Sequence, residues 1–322
     1  MGSIAHQFAL KAETTYGTAV TVDRFMEFKS ESLHREQNVA GSEGIRPGVR
    51  LGKGATRRIT RNWAEGTVNF EAASTKQGIL YNHLLGSVSS ATVSTLTWVH
   101  TYSSSSLIGK GLTLQKGVEL VDGTVQAFTY PGSKVRGIEF SIDEDAILNL
   151  AVDFLAKQEV TSTALATGSY AAPVVFHYAQ GSVLKGGVAL ANIRRFSVNI
   201  VNNLIQRFNM GNSGLSAEPL NRPMDTVTGT LDLEFNNLTD FYNAFAADTS
   251  VVLDFTFDTT GEVVEGTWTN RLNINLADAR FVGETPQVDD LDIVVVSVPF
   301  EACDPTSGSG VTIVQRTADT AP

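Results

Sequence analysis

Two stretches of the chain carry one pattern. Residues 66–86 (GTVNFEAASTKQGILYNHLLG) and 229–248 (GTLDLEFNNLTDFYNAFAAD) each run from Gly-Thr through an alternating strand and a polar break into a short amphipathic helix. The echo continues downstream, where Val121-Asp122-Gly123-Thr124 answers Val264-Glu265-Gly266-Thr267, and 148–154 (LNLAVDF) answers 294–300 (VVVSVPF). Upstream, Phe28 and Leu33 face Phe196 and Leu204. The offset moves from 163 residues between Gly66 and Gly229 to 143 between Gly123 and Gly266, so the connecting segments differ in length. A repeated order of strand, break and helix predicts two similar β-rich lobes, residues 1–160 and 161–322, and doubled folds are a route to pseudo-symmetric rings.

A chain of 322 residues has room for two domains that each bury a core. The single cysteine, Cys303, excludes an internal disulfide and reads as a small hydrophobe near the end of the last core strand. Residues 1–10 lack a basic segment followed by a long apolar run, and no apolar stretch approaches the length of a membrane span. A soluble protein without a membrane anchor is therefore expected. Residues 1–160 carry 16 Lys+Arg against 16 Asp+Glu and residues 161–322 carry 8 against 18, so the formal charge of −10 resides in the second half. Such a chain is a poor candidate for gripping nucleic acid by phosphate neutralisation.

Period-2 alternation dominates, as a half-buried strand requires. Val68, Phe70 and Ala72 alternate with Thr67, Asn69 and Glu71; Leu148, Leu150, Val152 and Phe154 alternate with polar or small residues; Leu231, Leu233 and Phe235 alternate with Asp232 and Glu234. Further strands are expected near 25–30, 134–142, 192–201, 251–257, 270–276 and 291–301, separated by Gly-containing turns. Only 75–85 and 238–246 have helical apolar stripes. The fold class is therefore mainly β, two sandwich- or barrel-like lobes with one short helix each. His83 lies on the apolar side of its helix and reads as a satisfied core histidine.

Long irregular stretches are expected at 41–65 and, in the equivalent place, at 210–225; the Ser-rich run 87–106 reads as a surface excursion and 307–322 as a C-terminal strand with a tail. The first of these arms holds Arg46, Arg50, Lys53, Arg57, Arg58 and Arg61 with no acid between Glu43 and Glu65. With no interleaved aromatics it makes a poor nucleic-acid patch. Two readings stand for it: a solvated loop, or an arm that docks on the acidic surface of a neighbouring copy and so forms an interface between rings.

Catalytic chemistry has no visible seat. The five histidines form no metal-binding pair, no nucleophile elbow occurs, and the fragment 48–54 (GVRLGKG) has neither the spacing of a phosphate loop nor its hydroxyl after the lysine. The acidic groups Asp143-Glu144-Asp145 and Asp289, Asp290 and Asp292 lack EF-hand spacing and read as solvated turns. No catalytic residue, metal ligand or cofactor is nominated, and an enzyme is not expected.

The order of motifs resembles the tail tube (major tail) proteins of long non-contractile-tailed bacteriophages, the siphophages. In the first half the resemblance is carried by residues 13–20 (ETTYGTAV), 24–28 (RFMEF), 31–33 (ESL) and 42–44 (SEG) with the Gly/Arg-rich arm after it. In the second half it is carried by Asn192 with Phe196, 202–204 (NNL), 228–230 (TGT), 242–245 (YNAF), 283–286 (GETP) and 298–301 (VPFE). The stretch 205–221 departs from it, where the family reads as a more Gly- and Arg-rich arm.

The resemblance implies a structural virion protein, assembled in the bacterial cytoplasm. It implies six-lobed rings whose inner strands join into one barrel, stacked around a tape-measure protein between tail terminator and tail tip proteins. DNA would pass through the bore without specific binding. Three chains close a ring if each lobe is one sixth of it, and six if only one lobe builds the barrel. The alternative is a two-lobed β-sandwich binding module for carbohydrate or protein, for which Trp63, Trp98 and Trp268 are the available stacking platforms.

Overall fold

Alternation shapes the first half. A computed structural model describes residues 5–45, 47–48, 50–170, 172–222, 225–283, 285–286 and 294–322. The first half contains β1 (Gln7–Ala12), β2 (Arg24–Phe25), β3 (Ser30–Glu31), β4 (His34–Ala40), β5 (Arg58–Glu71), helix α1 (Gly78–Leu85), β6 (Gly86–Ser94), β7 (Thr97–Ser104), β8 (Leu112–Glu119), β9 (Val125–Ile142) and β10 (Asn149–Ala156). In β5, Ala64, Val68 and Phe70 are fully buried while Glu65, Thr67, Asn69 and Glu71 face the other way. The strand β9 serves two sheets. Its first part pairs with β8, which pairs with β1; its second part pairs with β10, which pairs with β5, flanked in turn by β3 and β4.

The second half contains β11 (Gly181–Lys185), β12 (Val188–Ala189), β13 (Ile193–Val201), β14 (Leu204–Phe208), β15 (Ser216–Asn221), β16 (Thr226–Glu234), helix α2 (Tyr242–Ala246), β17 (Val251–Glu265), β18 (Trp268–Phe281), β19 (Val295–Ala302) and β20 (Val311–Thr317). The pairings β4–β5–β10–β9 are met again as β13–β16–β19–β18, and β1–β8–β9 as β11–β17–β18. Registers agree as well: Gly66 lies opposite Phe154, and Gly229 opposite Phe300.

Both glycines are places of close approach. A Cβ on Gly66 would lie 2.5 Å from the Ser32 carbonyl oxygen, and one on Gly229 2.2 Å from that of Ser197 and 2.3 Å from the Phe300 ring. Nothing larger than hydrogen fits. Leu33 and Val198 therefore take the same place beside the two glycines.

The halves are welded at two seams. In one, β9 pairs with β13 over six residues, from Ile142↔Phe196 to Gly137↔Val201. In the other, β20 lies between β18 and β7, so the C-terminal strand ties the second half to the first. One apolar core runs through both halves, from Phe8, Phe70 and Phe154 to Phe196, Phe255, Phe300 and Ile313. The molecule is thus mainly β.

Several expectations change. The helix α2 starts later than 238 and buries only Ala244 of its own residues, with Phe241 anchored just ahead of it. The Ser-rich run is not an excursion but the β6–β7 hairpin, joined to β20 along β7, with Thr97, His100 and Tyr102 buried; Tyr102 meets Tyr81 of α1 edge-on at 5.6 Å and His100 Nε2 lies 2.9 Å from the Asp319 carbonyl. Of the stretch 41–65, Arg58 onward belongs to β5, paired with β4, leaving 41–57 as the arm. The second arm is the β14–β15 hairpin. Cys303 is exposed, just past β19, with its N–H donated to the Asp278 carbonyl (2.8 Å). His83 is buried, but neither ring nitrogen has a hydrogen-bond partner among the described residues.

Candidate functional site

The sheet that crosses the β9–β13 seam has a second face, and that face is polar. One row of neighbours reads Asn69, Ala151, Glu139, Asn199, Thr228, Glu301; the next reads Glu71, Asn149, Ser141, Ser197, Thr230, Pro299. Small hydroxyl and amide side chains alternate with carboxylates. Glu65, Glu71, Glu139, Asp153, Asp232, Glu234 and Glu301 stand on this face. Three cations answer them: Arg136 reaches Glu65 (3.3 Å) and Asp153 (3.8 Å), Arg195 reaches Asp232 (3.4 Å), and Arg194 reaches Glu234 (3.9 Å). Glu71, Glu139 and Glu301 have no ion-pair partner among the described residues. Among the described residues the face carries more acids than cations.

Its two ends are open edges. Among the described residues β4 pairs only with β5, and β19 meets the β18 side only through 299–302, leaving 295–298 paired on one side. At Leu33 the edge is covered by side chains: Glu31 Oε2 accepts the Leu33 N–H (2.8 Å), while the Leu33 carbonyl accepts from Lys116 Nζ (2.6 Å) and the Tyr130 hydroxyl (3.3 Å). Such protection is how a protein keeps unpaired strands from pairing at random.

The basic arm projects beyond this sheet. Arg50, Arg57, Arg58 and Arg61 are exposed and Lys53 half-exposed; Arg46 lies outside the described residues. None of the five makes an ion pair among the described residues. Arg58 Nη1 donates to the carbonyls of Ala55 (2.9 Å) and Arg57 (2.8 Å), and Arg61 lies 5.0 Å from the Phe208 ring centre. The arm thus has local order and uncommitted charge.

The second arm is seated. It folds back over the first half, where Asn62 N–H donates to the Gly214 carbonyl (2.8 Å) and Phe208 meets Trp63 edge-on at 5.6 Å. Beneath it, the Lys134 ammonium, 3% exposed, pairs with Glu218 Oε1 at 2.8 Å, which also accepts the Gly109 N–H (2.6 Å). Burial pulls the Lys134 pKa below the usual lysine range, and Glu218 opposes that pull. A pair so enclosed fixes position more than it adds stability.

The N-terminal motif 13–20 turns out to be a brace. Glu13 is buried, and its carboxylate accepts from the Gly17 N–H (2.6 Å), the Gly132 N–H (2.8 Å) and the Thr113 hydroxyl (2.8 Å). That role went unread in the sequence, although the spacing of Glu13 and Gly17 is its local signal.

Other nominated groups are dispersed. Asp143, Glu144 and Asp145 form an exposed turn, with Glu144 bonded to Arg194; Asp289, Asp290 and Asp292 lie outside the described residues. Among the described residues no three His, Cys, Asp or Glu converge, and no helix is long and apolar enough to cross a membrane. The three tryptophans already have partners within the chain: Phe208 for Trp63 (5.6 Å), His100 for Trp98 (6.4 Å) and Arg316 for Trp268 (5.5 Å).

No curated protein matches the chain. A family model described as phage tail tube protein matches residues 4–302, so that β20 lies beyond the matched region. The match extends over both halves, both arms and the acidic sheet face, and the chain belongs to the phage tail tube protein family, whose members are structural, non-enzymatic components of the virion tail.

Proposed function

We propose that three copies of this chain close a ring by joining the β18–β19 end of one copy's sheet to the β3–β4 edge of the next, and that rings stack into the tail tube. The β9–β13 seam carries this reading. It joins the last strand of the series β4–β5–β10–β9 to the first of the series β13–β16–β19–β18. A second joint of the same kind, made between chains, propagates the sheet around an axis and leaves no exposed edge. The repeated pairings and the paired glycines support an internal duplication with lobes at 1–160 and 161–322, each lobe one sixth of the barrel.

In that barrel the polar face is the bore. Its unpaired Glu71, Glu139 and Glu301 repel DNA phosphates, so the genome passes without adhering. The tube surrounds a tape-measure protein, meets tail terminator and tail tip proteins at its ends, and is built in the bacterial cytoplasm. The cations of the basic arm are contacts between copies.

Electron microscopy of the purified chain tests the proposal. Averages down the axis are expected to show a central bore, six density lobes and three chains per ring. Six chains per ring, or a bore lined by the apolar face, would refute the edge-to-edge arrangement.

A further inference from the structure

We propose that the basic arm, residues 41–57, seats on an acidic shoulder of the second lobe of the neighbouring copy in the same ring. The proposal rests on the ring reading above and assigns the arm a surface. The second arm supplies the template. Between β13 and β16 in the chain, as the basic arm lies between β4 and β5, it reaches back across the β9–β13 seam and lands on Asn62, Trp63 and Lys134. Repeating the seam between chains carries the basic arm to the matching place on the next copy's second lobe.

Registers locate that place. Counting back from Gly66 and Gly229, the position of Asn62 is taken by Asp225 and that of Trp63 by Thr226. Lys134 lies opposite Leu155, next to Phe154; Arg280 lies opposite Glu301, next to Phe300. Arg280 thus stands where Lys134 stands in the first half. Its surroundings are acidic: Asp248 and Asp278 each lie 3.5 Å from its guanidinium, Glu301 is opposite, and Asp304 follows β19. Asp225, Asp248, Glu301 and Asp304 are exposed.

The charges of the two seats are reversed. In the first half a buried cation, Lys134, receives the acid Glu218 of the second arm. On the second lobe, the exposed acids Asp225, at the place of Asn62, Asp248, beside Arg280, and Asp304, just past β19, face an arm bearing Arg50, Lys53, Arg57 and Arg58 with no acid from residue 44 to 64. Each arm matches its own seat and mismatches the other, so the complementarity sets the order of lobes around the ring.

The exposed Cys303, the chain's one cysteine, lies beside Asp304 at this shoulder and gives a direct test. Assembled tubes of the Arg50→Cys protein are treated with a short bis-maleimide and run on a denaturing gel. Arms seated within rings give linked species that stop at three chains, and Cys303→Ser abolishes them. Linked species continuing beyond three place the arm between rings and overturn the proposal, as does a lack of links in tubes that form normally. An unmodified chain that forms neither rings nor tubes overturns the ring reading itself, and this proposal with it. In a second measurement, Arg57→Glu with Arg58→Glu raises the protein concentration needed for ring closure about tenfold, and Asp248→Lys with Asp304→Lys in the same chain restores it. Full assembly by the arm variant, or no recovery in the combined variant, counts against charge pairing at this seat.

Discussion

A histidine at position 83 occupies a place suited to an apolar side chain. Burial, with Lys110, Lys134 and Arg24 nearby, lowers its pKa from the ordinary 6.5 to about 3. The folded-state pKa is depressed, so the neutral ring's contribution is present above the unfolded value and is lost as pH falls through the window from 6.5 toward 3. At about 1.4 kcal/mol per pH unit, the wild type should lose roughly 2–3 kcal/mol more than His83→Leu between pH 7 and 4.5. Urea unfolding at the two pH values measures this; equal losses would disprove it. The apolar side of the helix was legible in the sequence, but the lack of a partner was not, because the residues around His83, among them Lys110 ahead of β8 and Lys134 in β9, come from distant parts of the chain. The close approaches at Gly66 and Gly229 were visible only as a recurring Gly-Thr, whose cause is the carbonyl of a serine in the neighbouring segment, Ser32 or Ser197.

Among the elements, β20 does the most with the fewest residues. It buries Val311 and Ile313 and supplies partners to β18 on one side and β7 on the other. A chain ending at Gly310 loses about 1.5–3 kcal/mol for each of those two side chains, and it bares two strand edges. Its melting temperature should fall by about 5–10 °C, with aggregation on heating; an unchanged thermal scan would show that the clasp is dispensable. Elements with clean alternation, such as the second half of β5, β10, β16 and β19, were legible because burial on one face is a local pattern. The β6–β7 hairpin was not, since its serines read as solvent-loving and the strand that β7 pairs with, β20, lies more than 200 residues away. Likewise β14–β15 looks like a loop in sequence because Trp63 and Lys134, which hold it, belong to the other half.

For the whole molecule, charge is segregated by surface rather than by half alone. The acids of the sheet face stand among Ser, Thr and Asn, so replacing them changes potential without disturbing the core. Glu71→Lys with Glu139→Lys, two acids of this face without an ion-pair partner among the described residues, should leave tube assembly intact. Short DNA duplexes added during assembly should then co-sediment with these tubes at least about tenfold more than with wild-type tubes at low salt, and be released as salt rises. Equal DNA retention would remove these carboxylates from the bore. The β9–β13 seam has a further consequence. Because both sides of that joint belong to one chain, they meet at the millimolar effective concentration typical of tethered partners. In the proposed ring of three, every second joint then forms by folding and is indifferent to dilution. Only the remaining three depend on how many copies the cell has made, so the ring is half complete before any two copies meet.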